Sequence, residues 1–248
     1  LKFEPVIKEL FEKHSAGELK QSLEGLISNL SELPLLFKLM SLCPLADLEL
    51  ETLLTGLRLA LLISVSELSD TPEILRFQSA LALQCFTNEY VYNQSDEETE
   101  LLGGLESTVE KTLLKGSQPN LRSILCLAAY KALYEYEWCD LIIAKPSIEE
   151  VFIRQVLEPK QEKKLKLDMP LLQEVTNKVS SKVREMYEES PYPRWVNVRV
   201  DLIPAPIVKV TKALKLKLFD EAINKLKAPN ILIAGCGTGQ HSIDTASR

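Results

Sequence analysis

The chain has 248 residues, of which 46% are apolar and 26% charged, with a formal net charge of −6. This is an ordinary globular composition, enough for one large domain or two smaller ones. It excludes a membrane span, because no apolar run reaches the roughly 18–20 residues required, and two histidines are too few for a His-based metal site.

The first 157 residues read as a succession of amphipathic helices. "FEPVIKELFEKH" puts Phe3, Val6, Ile7, Leu10 and Phe11 on one face. Ser15 and Glu18 have capping-box spacing ahead of "LKQSLEGLISNL". A short helix around "LPLLFKLMSL" should stop at Cys43-Pro44, and "LADLELETLLTGLRLALLISVSEL" reads as a long central helix. Asp70-Thr71-Pro72-Glu73 is a helix start, a polar cap followed by proline in the first turn. Ser95 and Glu98 form a second capping-box pair, "PNLRSILCLAAYKALYEYEWC" reads as a buried helix, and Ser147 with Glu150 is expected to cap "IEEVFIRQVL". No regular repeat is evident.

The lysine-rich, proline-flanked "EPKQEKKLKLDMP" (158–170) is the best boundary candidate. Beyond it "PLLQEVTNKVSSKVREMYEES" is helical, while four prolines keep "PYPRWVNVRVDLIPAP" out of any regular helix. A helix is expected over about 206–226. Asn230–Ala234 is a short apolar run of the kind that forms a strand buried on both faces.

Charge is unevenly placed: residues 1–159 carry 13 Lys and Arg against 25 Asp and Glu, whereas 160–227 carry 15 against 9. The basic stretch lacks the dense arginine and aromatic pattern of a nucleic-acid face, so no nucleic acid is expected. Five cysteines occur without CxxC or Cys/His ligand spacing; they read as reduced thiols of a cytoplasmic protein, with no metal.

Asn230–Ala234 runs into Gly235-Cys236-Gly237-Thr238-Gly239. Alternating glycines permit a tight turn, a close backbone approach to a ligand, and a following helix that starts near the strand. The phosphate-loop pattern GxxxxGK[ST] fails, because Gln240 and His241 follow. The dinucleotide pattern GxGxxG fits Gly235 and Gly237 but meets Gln240 at its third position. The tighter GxGxG spacing resembles motif I of class I S-adenosylmethionine-dependent methyltransferases.

"YEESPYPRWVNV" (187–198) resembles the YEENPYPRW segment that precedes motif I in a family of large bacterial methyltransferases. These carry an N-terminal helical region, often with tetratricopeptide repeats. "LQCFTNEYVY" (83–92) and "CPLADLELETLLTGLRLALL" (43–62) are similar to segments of that region. The resemblance implies a mainly α chain: a helical domain (1–157), a linker with one helix and the PYPRW segment (158–203), and the first strand and turn of an incomplete Rossmann-like domain (204–248). It implies S-adenosylmethionine as cofactor, held at Ala234, Gly235, Cys236, Gly237, Thr238 and Gly239. Tyr192, Arg194 and Trp195 would either cap the cofactor or acceptor, or plug a domain seam. Two departures stand out. Ile233 occupies a strand position that is often acidic in such enzymes, and the acidic residue that grips the ribose has no counterpart here. The expectation is therefore a methyltransferase beginning without its catalytic remainder, with no catalytic residue to name. The alternative is a helical interaction module that binds a protein partner or substrate, or forms a homodimer. Tyr90 and Tyr92 are expected to pack rather than bind.

Overall fold

The computed structural model describes the chain apart from residues 1–3, 13–15, 171–175, 190, 192–194, 198–204, 214, 218, 228–229 and 248. It divides into two compact units, Leu1–Leu172 and Gln173–Arg248. Among the described residues the regular elements are all helical and no strand occurs.

The first unit holds α1 (Glu4–Glu12), α2 (Ala16–Ser31), α3 (Pro34–Leu42), α4 (Leu48–Ile63), α5 (Pro72–Thr87), α6 (Asp96–Leu114), α7 (Leu121–Ala128), α8 (Glu149–Phe152) and α9 (Glu158–Leu167), with a π-helical turn over Ile153–Leu157. Side-chain caps set the starts of α4, α5, α6 and α7. Asp47, Thr71 and Asn120 accept from the backbone N–H groups of Leu50, Ile74 and Ser123 at 2.9, 3.3 and 2.9 Å. Ser95 and Glu98 close a full capping box: the Ser95 hydroxyl accepts from Glu98 N–H at 3.1 Å, and the Glu98 carboxylate accepts from Ser95 N–H at 2.7 Å. The Ser15–Glu18 pair lies outside the described residues.

Helix α5 is the axis of this unit. Twelve of its sixteen residues are buried, and it packs against α2, α3 and α7. Phe77, Leu81 and Leu83 meet a core that includes Leu23, Ile27, Met40 and Leu125, with the Phe37 and Phe77 rings 5.8 Å apart. Burying each such side chain contributes about 1.5–3 kcal/mol. Helix α1 leans on α4 at Gly56, where an added Cβ would come within 2.6 Å of Ile7.

Two sets of buried polar groups tie the helices together. Arg58 of α4 donates to Asn93 O at 2.6 Å, lies 3.6 Å from the Glu98 carboxylate and stacks 4.0 Å from the Tyr130 ring centroid. The Tyr130 hydroxyl donates to the same carboxylate at 2.6 Å. The second set comes from the π-helical turn, which turns the consecutive residues Arg154, Gln155 and Val156 inward. Arg154 donates to Ser41 O and, at 2.9 Å, to the Thr87 hydroxyl. The Gln155 amide donates to Ala82 O and Ala128 O at 3.1 and 3.0 Å and accepts from Leu133 N–H at 3.1 Å.

The long helix expected through 119–139 therefore stops at Ala128. Gln155 takes the Ala128 carbonyl and the Leu133 N–H that an uninterrupted ladder would use. The chain continues in turns and two 3₁₀ segments, Leu133–Glu135 and Cys139–Leu141. Ser147 is not a helix cap: the position before α8 is Ile148, without a side-chain cap, and the Ser147 carbonyl instead accepts from the Ser79 hydroxyl at 2.9 Å. The 158–170 stretch begins as α9, which continues directly from the π-helical turn. Lys160 pairs with Asp140, and the Lys163 ammonium lies 4.7 Å from the Tyr134 ring centroid, so these cations fold back onto the helical unit, which extends to Leu172.

The second unit holds α10 (Lys178–Glu189), α11 (Ile207–Ala213), a 3₁₀ segment (Glu221–Lys225) and α12 (Gln240–Ala246). Helix α11 ends well short of 226. Lys215 adopts φ +53°, and Leu216 N–H bonds back to Thr211 O at 2.9 Å, a helix stop of the Schellman kind. Asn230–Ala234 is also not a strand: Ile231 and Leu232 are exposed, and no ladder forms. A strand needs a neighbour for its backbone groups, and the described residues of this chain supply none.

Candidate functional site

The glycine turn is where sequence and geometry converge. Gly235, Gly237 and Gly239 all have positive φ, at +68°, +55° and +84°. Each is a backbone state that a side chain with a Cβ resists. Gly239 N–H closes the turn onto Cys236 O at 3.0 Å, and Gly239 is the residue before α12. At none of the three would an added Cβ find another atom within 4 Å. The glycines are thus required by backbone conformation and not by crowding. Ala234, Gly235, Cys236 and Gly237 are exposed, while Thr238 and Gly239 are half-buried.

Trp195 joins this turn. Its indole N–H lies 3.1 Å from the Thr238 hydroxyl and 3.3 Å from the Thr238 carbonyl. Two stretches that sequence reading had linked only by family resemblance, the PYPRW segment and the glycine turn, therefore meet through a named hydrogen bond. Tyr192 and Arg194 lie outside the described residues. Tyr90 and Tyr92 stand apart from the turn in sequence and belong to the helical unit: Tyr92 is buried, and the Tyr90 hydroxyl donates to Ala128 O at 3.3 Å.

Four buried titratable groups of the helical unit have structural surroundings. Burial pushes the Cys85 and Cys126 thiols up to about 12 against a partial opposing pull from Arg58, and it pushes the Tyr92 phenol to about 12. The Tyr130 phenol is raised by burial and by its hydrogen bond to Glu98. Groups held in their neutral forms this firmly are poor nucleophiles. The described cysteines are free thiols, and the described residues contain no cluster of three metal-ligating side chains. No described helix is long and apolar enough to cross a membrane.

Two features escaped sequence reading. The inward Arg154–Gln155 pair depends on a π-helical turn that no local spacing announces, and the cleft it braces, between α3, α5 and α8, is assembled from residues up to 117 positions apart, Pro34 to Val151. No protein-family model, curated protein or solved structure matches the chain.

Proposed function

We propose that residues 191–248 contribute the motif I portion of an S-adenosylmethionine site, and that the chain belongs to a methyltransferase of the class I type. The observation that carries this reading is the turn itself: three alternating glycines at positive φ with open space where their side chains would be. Such a turn offers backbone N–H groups to a polar ligand at van der Waals approach, which any Cβ would prevent. The Rossmann-like setting, with Asn230–Ala234 as its first strand, is part of the same proposal; a strand of this composition forms once neighbours exist to pair with it.

In this reading Gly235, Gly237 and Gly239 shape the turn, and Ala234, Cys236 and Thr238 supply its remaining backbone. Trp195 holds the turn from one side through Thr238. When bound, the cofactor supplies a methyl group on a positively charged sulfur, open to in-line attack by an acceptor. The protein's part in such a transfer is mostly positioning and exclusion of water. No side chain of this chain is assigned to the transfer itself.

The test is binding at a defined place. S-adenosylhomocysteine, titrated into ¹⁵N-labelled protein, should shift the amide resonances of Gly235, Gly237 and Gly239 and the Trp195 indole N–H. Affinity should be weak, near millimolar or about −4 kcal/mol, because one turn provides few of a nucleoside's contacts. If these resonances stay unmoved, or if ATP and NAD move them equally, the assignment fails.

A further inference from the structure

The helical unit contains an open cleft of about 450 Å³ between α3, α5 and α8. Its floor is apolar, formed by Phe37, Leu75, Ala80, Leu83 and Val151. Its size falls within the range of sites that take a side chain or a short peptide segment. Three prolines stand on its rim. Pro34 and Pro72 open α3 and α5, and Pro146 precedes α8. Each fixes its own φ at the point where a wall begins.

The walls are also pinned from behind. Arg154 bridges Ser41 O on α3 and the Thr87 hydroxyl on α5. Gln155 holds Ala82 O of α5, and Ser79 of α5 holds Ser147 O on the third wall. Closing the cleft would break the buried hydrogen bonds of Arg154 and Gln155 behind α3 and α5 and the exposed Ser79–Ser147 bond at the third wall, so it is preformed. An occupant need not pay for opening it.

Charge identifies the occupant. Residues 1–159 have an acidic surplus, yet the cleft is flanked by two cations on facing helices, Lys38 of α3 and Arg76 of α5. Both are exposed, and neither forms an ion pair with a described residue. Arg58 and Arg122, by contrast, do pair within the helical unit. The Arg76 guanidinium lies 5.1 Å from the Phe37 ring centroid, which places the positive group at the edge of the apolar floor. Glu150, which also lines the cleft, leaves it with opposite charges in different places and so gives an occupant a preferred direction. Leu35 and Leu39 continue an exposed apolar strip along α3.

We propose that this cleft docks a peptide segment of a partner protein, with an apolar side chain seated on the Phe37–Leu83 floor and adjacent carboxylates held by Lys38 and Arg76. The assignment is independent of the cofactor reading, because every residue it uses lies in the helical unit.

The test is selection from a random dodecapeptide phage library on the immobilised full chain, followed by fluorescence polarisation with the synthesised peptides. Enriched peptides should place Asp or Glu beside a large apolar residue. Lys38→Glu/Arg76→Glu should weaken them at least tenfold, about 1.4 kcal/mol, while melting within a few degrees of the parent, since both side chains are exposed. Leu83→Ala, at the floor, should weaken the same peptides and leave the preference for acidic flanks in place. Enrichment of basic or uncharged peptides, no enrichment at all, or equal binding by the charge-reversed variant would overturn the proposal. So would sedimentation showing that the parent self-associates and the charge-reversed variant does not, since the occupant would then be a second copy of the chain.

Discussion

Glu98→Ala is the sharpest test of how the helical unit is held together. One buried carboxylate does three jobs: it completes the α6 capping box, accepts the Tyr130 hydroxyl at 2.6 Å, and faces Arg58 at 3.6 Å. Removing it leaves Arg58, which is 2% exposed, without a counter-charge. Breaking a buried pair from one side costs about 3–5 kcal/mol. Loss of the cap is worth about 1 kcal/mol and an orphaned hydroxyl about 1–3 kcal/mol. These losses share one carboxylate and do not add in full, so the expected destabilisation is about 3–5 kcal/mol. Urea unfolding followed by circular dichroism should show it, with a melting temperature lower by about 10 °C. The double variant Glu98→Ala/Arg58→Met removes the stranded cation along with its partner and should recover at least about 1 kcal/mol of the loss. A Glu98→Ala protein within about 1 kcal/mol of the parent, or a double variant as unstable as the sum of its parts, would refute the idea that this carboxylate compensates a buried charge.

Alkaline pH should weaken the same unit. The Cys85 and Cys126 thiols ionise near 9 in the unfolded chain and at about 12 when folded, so above pH 9 the unfolded chain releases protons that the folded chain retains. Their stabilisation is complete below pH 9 and is lost progressively from pH 9 towards 12, at up to about 1.4 kcal/mol per thiol per pH unit. Tyr92 adds the same trend above pH 10. Denaturant midpoints that hold steady between pH 8 and 10.5 would contradict this. The glycine turn is open to a comparison of two substitutions that both enter empty space. Gly237→Ala meets φ +55°, and strain of about 1–2 kcal/mol should displace the Trp195 indole N–H resonance; Gly103→Ala, inside α6, should stabilise by about 0.5–1 kcal/mol. Equal, harmless outcomes at both positions would mean that the turn's conformation does not depend on glycine.

The helix starts at Thr71 and Ser95 were legible in the sequence because each is decided within four residues. Thr71-Pro72 and Ser95…Glu98 carry their own donors and acceptors, and both cap as their spacing predicts. Of the expected capping pairs, Ser147 and Glu150 do not cap: the Ser147 carbonyl, which an N-cap residue would give to the first helical turn, accepts from Ser79, 68 positions away. The same logic ends α7 early. "LCLAAYKALYEY" has good helical character throughout, but Gln155 inserts its amide where the ladder would continue. Nothing within 119–139 reveals that competitor. Helix stops were less legible than starts for this reason: at Ala128 the decisive hydrogen bonds come from a different part of the chain.

The end of the second unit shows the same division within ten residues. Gly235, Gly237 and Gly239 adopt the positive φ values that their alternation suggests, because a glycine's backbone freedom is its own property and needs no neighbour. Asn230–Ala234 has the composition of a buried strand, but a strand is a relation between two segments, and Leu232 is 92% exposed. A loop whose shape is encoded locally can thus form where the adjoining apolar run does not become a strand. Trp195 is what makes the loop more than a local accident. Its hydrogen bonds to Thr238 span 43 positions and connect the turn to the proline-rich segment without help from any strand. If that contact sets the turn, Trp195→Phe, which keeps one aromatic ring but loses the pyrrole ring with its N–H, should shift the Gly237 and Gly239 amide resonances much as Gly237→Ala does, and Thr238→Ser, which keeps the hydroxyl, should leave them near their parent positions. Glycine resonances indifferent to Trp195→Phe would show that the turn forms by itself and that the two segments only lie side by side.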